Sequence, residues 1–206
     1  MTDQSEISEN SPFFGVQQPI VELAQSLVDF VERAVGIRPD FSPETLPLVD
    51  HYASEVRQQL KERPQLLDLA SQAAGAYFGE VVRRNLPGFW RVNTGNQHDW
   101  LVCGSHAFVA LNPIGVGYDA IVGGETHSGP SSAFRLAAED RKQIAARLEV
   151  LPPETNEDFY KLTTRYEILE IVHEGVRVQA EARGYQDEQY EAADYDADLR
   201  PLGALN

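Results

Sequence analysis

The chain is poor in sulfur and in basic residues. It has one cysteine and one methionine in 206 residues. A lone thiol, Cys103, excludes an intramolecular disulfide and any zinc site built from several cysteines. Lys and Arg number 17 against 32 Asp and Glu, for a net charge of −15. Such a surface repels phosphate backbones and anionic lipid, which argues against nucleic acid and membrane as partners. No apolar run approaches the roughly 18 residues of a membrane span. The segment Met1 to Glu6 lacks the basic and apolar stretches of a secretory signal. These absences lead to the expectation of a cytoplasmic protein.

The charge is uneven. Residues 1–18 carry Asp3, Glu6 and Glu9 with no base, and residues 187–198 carry Asp187, Glu188, Glu191, Asp194, Asp196 and Asp198 with no base. The body, 19–186, still holds 23 acidic and 16 basic residues. The expected organisation is a loosely attached N-terminal segment over 1–18, one domain over 19–186 and an acidic tail over 187–206. Mutual repulsion opposes compaction of the tail. Tyr190, Tyr195 and Leu199 are its possible anchors, and the tail is expected to add little to the core.

Within the body, the apolar pattern reads mostly as helix. Pro19 opens a stripe of Ile20, Leu23, Ala24, Leu27, Val28 and Val31 at the helical period, and Gly36 stops it. Ser42-Pro43-Glu44 starts a second helix, with Pro47 making that start irregular. Pro64 opens a third, to about Asn85, in which Gly75 and Gly79 each cost about 1 kcal/mol relative to Ala. Close approach of another element is the simplest compensation, so this helix is expected to be the most buried. Period-two patterning then predicts a small antiparallel meander through Phe89–Trp90, Trp100–Cys103 and Ala107–Leu111. Two further helices follow. One spans 132–149; the other begins at Thr155, with Asp158 in the acidic place of a capping box, and runs toward Arg183. The fold class is α+β: a helical body of about five helices with one small antiparallel sheet.

Several patterns touch on chemistry. His98, Cys103 and His106 are metal-ligand types, but their spacing defines no standard site, and a fourth ligand, His127, lies in a distant loop. Cys103 as a nucleophile beside His106 would need an electropositive setting that an apolar strand in an acidic protein does not supply. Gly115-Val116-Gly117-Tyr118-Asp119-Ala120 fits G-x-G-x-x-A without the parallel strand that a dinucleotide site requires. His173-Glu174 resembles the start of a zincin helix, but Arg177 stands where the second histidine belongs. Asp194-Tyr195-Asp196-Ala197-Asp198 has Leu199 and Leu205 where a calcium loop needs glycine and glutamate. No catalytic constellation, cofactor or metal is called for, and the reading leans away from an enzyme.

The segments Gly75-Ala76-Tyr77-Phe78-Gly79-Glu80, Gly88-Phe89-Trp90 and Leu111-Asn112-Pro113 together resemble a group of bacterial domains. In these, a Gly-Ala-Tyr-x-Gly-Glu helix runs into a Trp-containing hairpin. The resemblance covers under a quarter of the chain. It implies the α+β fold and a bacterial origin, and it supplies no activity and no site residues.

Two functional expectations follow. The first is an interaction protein, of adaptor, regulatory or immunity/inhibitor type, whose acidic tail (Asp187, Glu188, Glu191, Asp194, Asp196 and Asp198) meets a basic protein partner. The second is a small-ligand binder or enzyme whose pocket forms where the Gly-rich loop 112–132 meets His106 and Tyr118. Within that loop, Gly123 to Gly129 brings Glu125, Thr126, His127 and Ser128 into a stretch that reads either as pocket lining or as a solvated loop. An exposed aromatic face of the meander would also mark a contact site.

Overall fold

A computed structural model describes residues 11–92, 95–125 and 129–198. Helices α1 (Gln18–Val35), α2 (Leu46–Gln59) and α3 (Leu66–Asn85) come first. Gly36 ends α1 at φ 78°, donating its N–H to Glu32, the left-handed stop that glycine adopts without steric cost. A single 3₁₀ turn, Pro43–Thr45, precedes α2, and Pro47 occupies its first turn, so the entry is irregular as expected.

The strands β1 (Gly88–Arg91), β2 (Leu101–Gly104), β3 (Val109–Leu111) and β4 (Arg135–Leu136) form one antiparallel sheet in the order 1-2-3-4. Three of them are the expected meander. The two-residue β4 is too short to leave a periodic signal. The remaining helices are α4 (Pro113–Val122), α5 (Ala138–Glu149), α6 (Asn156–Phe159), α7 (Leu162–Ala182) and α8 (Ala192–Asp198). The class is α+β with a helical body. Its eight helices among the described residues exceed the expected five: α4 and α8 are additional, and the last predicted helix divides into α6 and α7. Thr155 caps the helix as read, its hydroxyl accepting from the Asp158 N–H at 3.1 Å, while the Asp158 carboxylate accepts from that hydroxyl at 2.7 Å rather than from the Thr155 backbone. No described helix is long and apolar enough to cross a membrane.

The sequence allowed a short strand or helix around Tyr118 to Val122 within an otherwise irregular 113–132 stretch; α4 is a helix that starts five residues earlier, at Pro113. Asn112 starts the helix. Its Oδ1 accepts from the N–H groups of Ile114 and Gly115, and its amide donates to the carbonyls of Gln97 and His98. Pro113 then sits where a missing N–H costs nothing. Every residue from Pro113 to Ile121 is buried, so α4, rather than α3, is the most completely buried helix. Alternating glycines had read as a loop because they weaken helix propensity; here they admit another backbone. A Cβ on Gly75 would stand 2.5 Å from the Ile114 Cα and the Pro113 carbonyl oxygen, and one on Gly117 would strike Ser71 and Gly75. The G-x-G-x-x-A run is thus a helix–helix contact.

α3 is the hub. Gly79 makes room for the Trp90 ring. The Trp90 indole donates to Glu80 at 2.7 Å. Glu80 is fully buried, and Arg83 and Arg84 pair with it at 2.8 and 3.0 Å. A buried carboxylate is tolerated only when so completely partnered. Tyr77 donates or accepts at Thr45 (2.7 Å) and accepts from the Phe41 N–H (3.0 Å). The Arg84 guanidinium lies over the rings of both Phe13 and Phe41. Phe13 and Val16 are buried, which corrects the loose N-terminal segment from residue 13 onward. Residues 1–10 lie outside the described part.

Period two divides the sheet's faces. Trp90, Val102, Val109 and Leu111 point into the main core. Leu101, Cys103 and Ala110 form a second cluster on the other face, and Tyr195 of α8 closes it. The C-terminal acidic segment is therefore a docked structural element as far as residue 198, not a tail with little part in the core. Its route is set by a backbone hydrogen bond from Tyr190 to Ser105 at 2.8 Å. One buried aromatic anchor among six acids left no periodic signal in the sequence. Leu199, the third possible anchor, lies outside the described residues.

Candidate functional site

The first candidate is a cleft of about 610 Å³ between the start of α5 and the segment leading into α8. Its floor and walls are Phe108, Ala137, Ala138, Tyr185 and Tyr190, and its charged groups are Glu139, Asp140, Arg183, Glu188 and Asp194. The fold brings them together in three steps. Ala137 and Ala138 begin α5, whose first turn carries Glu139 and Asp140. α7 ends at Ala182, and Arg183 turns back to pair with the buried Asp140 at 2.9 Å. The chain then returns along the sheet, and Phe108 packs edge-on against Tyr190 and stacks flat on Tyr195 at 4.4 Å.

The result is an acidic cleft with aromatic walls. Among the described residues its one lining base, Arg183, is held by Asp140, while Glu139, Glu188 and Asp194 are exposed. Tyr190 donates to Glu188 at 3.2 Å, and burial together with the Glu188 charge pushes its phenol up to about 12, so it stays a neutral donor. Tyr185 presents its ring at 56% exposure.

Of the six tail acids singled out in the sequence, Glu188 and Asp194 line this cleft. Asp194 also accepts the Glu191 N–H at 2.7 Å and so starts α8. Asp196 pairs with Arg91 across the outer face of the sheet. Asp187 and Glu191 are exposed and do not line the cleft. Asp198 ends α8. Phe108 belongs to the meander aromatics weighed as an interface in the sequence reading, whereas Tyr185, Tyr190 and Glu139 were missed as site residues because they come from separate stretches of chain. The exposed aromatic sheet face allowed for in the sequence reading is covered by α8.

The second candidate is a cavity of about 510 Å³ lined by Asp119, Glu125, Gly129, Ser131, Ser132, Ala133, Phe159, Tyr160 and Arg165. It borders the predicted loop, but neither His106 nor Tyr118 lines it. His106 is exposed beyond β2, and Tyr118 donates to Asp68 at 2.9 Å. Thr126, His127 and Ser128 lie outside the described residues, as does the metal role weighed for His127. Among the described residues, no three His, Cys, Asp or Glu side chains are grouped to hold a metal. Cys103 is buried beneath Tyr195, and burial pushes its thiol up to about 12, the opposite of an activated nucleophile. No family model, curated protein or solved structure matches the chain.

Proposed function

We propose that this protein is an interaction module that seats a basic segment of a protein partner in the cleft between α5 and α8. The single observation that carries the reading is the composition of that cleft among the described residues: three exposed carboxylates beside exposed tyrosine, with the one lining guanidinium, Arg183, already neutralised. Arg and Lys combine a charged head with an apolar stem, and guanidinium groups also stack on aromatic rings. A wall of Phe108, Tyr185 and Tyr190 accepts the stem, while Glu139, Glu188 and Asp194 attract the head. The net charge of −15 adds long-range attraction, which speeds encounter with a basic partner and screens out acidic ones. An adaptor and an inhibitor of a basic protein both work through such a surface.

The test is affinity capture with the full chain and with a Glu139→Gln/Glu188→Gln variant. Both positions are exposed, so the fold is retained. A partner held by the wild-type chain at low salt, released at high salt and lost by the variant supports the proposal. Equal capture by both chains refutes the cleft as the site.

A further inference from the structure

Arg165 is a poorly accommodated charge. It is the fourth residue of α7, where the positive end of the helix dipole opposes a cation. It is only 7% exposed. Its guanidinium lies between two rings, 5.1 Å from the centre of Phe134 and 5.2 Å from that of Phe159. Nη2 donates to the Ser132 carbonyl at 2.6 Å, and the buried Nε has no acceptor among the described residues. Burial pulls its pKa down, and the nearby Asp119 charge acts against that pull. A buried guanidinium with an unused donor is costly unless an anion completes it. The helix gains nothing from it either, because Asp50 already caps the N–H groups of Leu162 and Thr163 at 2.7 and 3.1 Å.

Arg165 opens on the 510 Å³ cavity together with Asp119, itself 5% exposed and accepting the Ser132 hydroxyl. Glu125 stands on the same cavity, and Phe159 and Tyr160, perpendicular at 5.1 Å, supply an apolar wall. The volume falls within the roughly 300–1,000 Å³ of small-molecule sites. Among the described residues the lining presents one cation, two carboxylates and a ring surface. A phosphate would gain Arg165 but meet two carboxylates. A simple cation would gain the carboxylates but meet Arg165. A molecule bearing both a carboxylate and an ammonium group satisfies both.

We propose that this cavity binds a small zwitterion of the α-amino-acid class, its carboxylate on Arg165, its ammonium group on Asp119 and Glu125, and its side chain against Phe159 and Tyr160. The cavity shares no lining residue with the acidic cleft, so the two proposals stand or fall separately.

Isothermal titration of the full chain with free glycine, leucine, phenylalanine and glutamine tests it. The tightest binder is then compared with its N-acetyl and C-amide forms, and inorganic phosphate is the control anion. The expected result is saturable binding of a free amino acid, weakened about tenfold or more when either end is blocked. Arg165→Lys and Asp119→Asn weaken it similarly. Should these buried variants fail to fold, Ser131→Trp, at an exposed rim position, closes the cavity and abolishes binding while the circular dichroism spectrum stays unchanged. The proposal is overturned if no amino acid binds by about 10 mM. It is overturned equally if blocked forms bind as well as free ones, if phosphate alone binds, or if the folded Ser131→Trp chain still binds.

Discussion

Truncating Tyr195 to alanine should detach α8 from the sheet, and the structure sets the size of the effect. The ring is 1% exposed, stacked on Phe108 and edge-on to Phe89 at 6.0 Å. Its hydroxyl donates to the Gly104 carbonyl at 2.7 Å and accepts the Val109 N–H at 3.2 Å. Removing a buried aromatic side chain costs about 3–5 kcal/mol, and the lower end applies here because this cluster is a satellite of the main core and water can enter the gap. At about 2–4 °C per kcal/mol for a chain of this length, Tyr195→Ala lowers the melting temperature by roughly 6–12 °C. Tyr195→Phe keeps the rings and loses only the hydroxyl contacts, for about 1–2 kcal/mol. A second assay reports the same event locally. Cys103 is the only cysteine and lies in the cluster that Tyr195 closes, its thiol held protonated by burial. In the wild type it should react with a thiol reagent at pH 8 only after unfolding, and in Tyr195→Ala it should react in the native state. An unchanged melting temperature together with a thiol that stays protected would refute the docking of α8.

Gly75→Ala should destabilise the fold by about 1–3 kcal/mol in urea denaturation, because overpacking against the Pro113–Ile114 backbone exceeds the roughly 1 kcal/mol gain in helix propensity. Trp90→Phe removes the indole donor from fully buried Glu80 and should cost about 1–3 kcal/mol by the same measurement. His173 is buried with Nε2 lacking a partner among the described residues, and desolvation pulls its pKa below 6.5. The folded state therefore prefers the neutral ring. This contribution is complete above pH 6.5 and is lost as the pH falls through the lower folded value, so the melting temperature of His173→Phe should decline less than that of the wild type on acidification below 6.5.

Where hydrophobic periodicity was strong and unbroken, the fold was legible. The stripe of α1, the Gly36 stop, the Thr155 cap and the three main strands all rest on local spacing. The first half of α4 was hidden because Gly115 and Gly117 lower its intrinsic propensity, and only the partner glycine at 75 makes their use intelligible. α8 was hidden because acidic composition suggests repulsion, whereas one tyrosine ring and four backbone groups of the sheet loops fix its position. The Glu80–Trp90 hydrogen bond joins positions ten apart on different elements, so nothing in the spacing announces it. The cleft illustrates the same limit. Glu188 and Asp194 stood out as acids, but Phe108 and Glu139 join them only through the return of the chain along the sheet.

The most direct test of the proposed function places a photocrosslinker in the cleft itself. Tyr185 is exposed and lines it, so Tyr185→p-benzoylphenylalanine should leave the fold intact and cover the partner's contact surface. The same probe at Val150, exposed and outside the cleft, serves as the control. Crosslinks from position 185 should map to Lys- and Arg-rich peptides of a protein partner, should be suppressed at high salt, and should be absent from position 150. Crosslinks that fall on acidic or uncharged segments, or that form equally from both positions, would contradict the account.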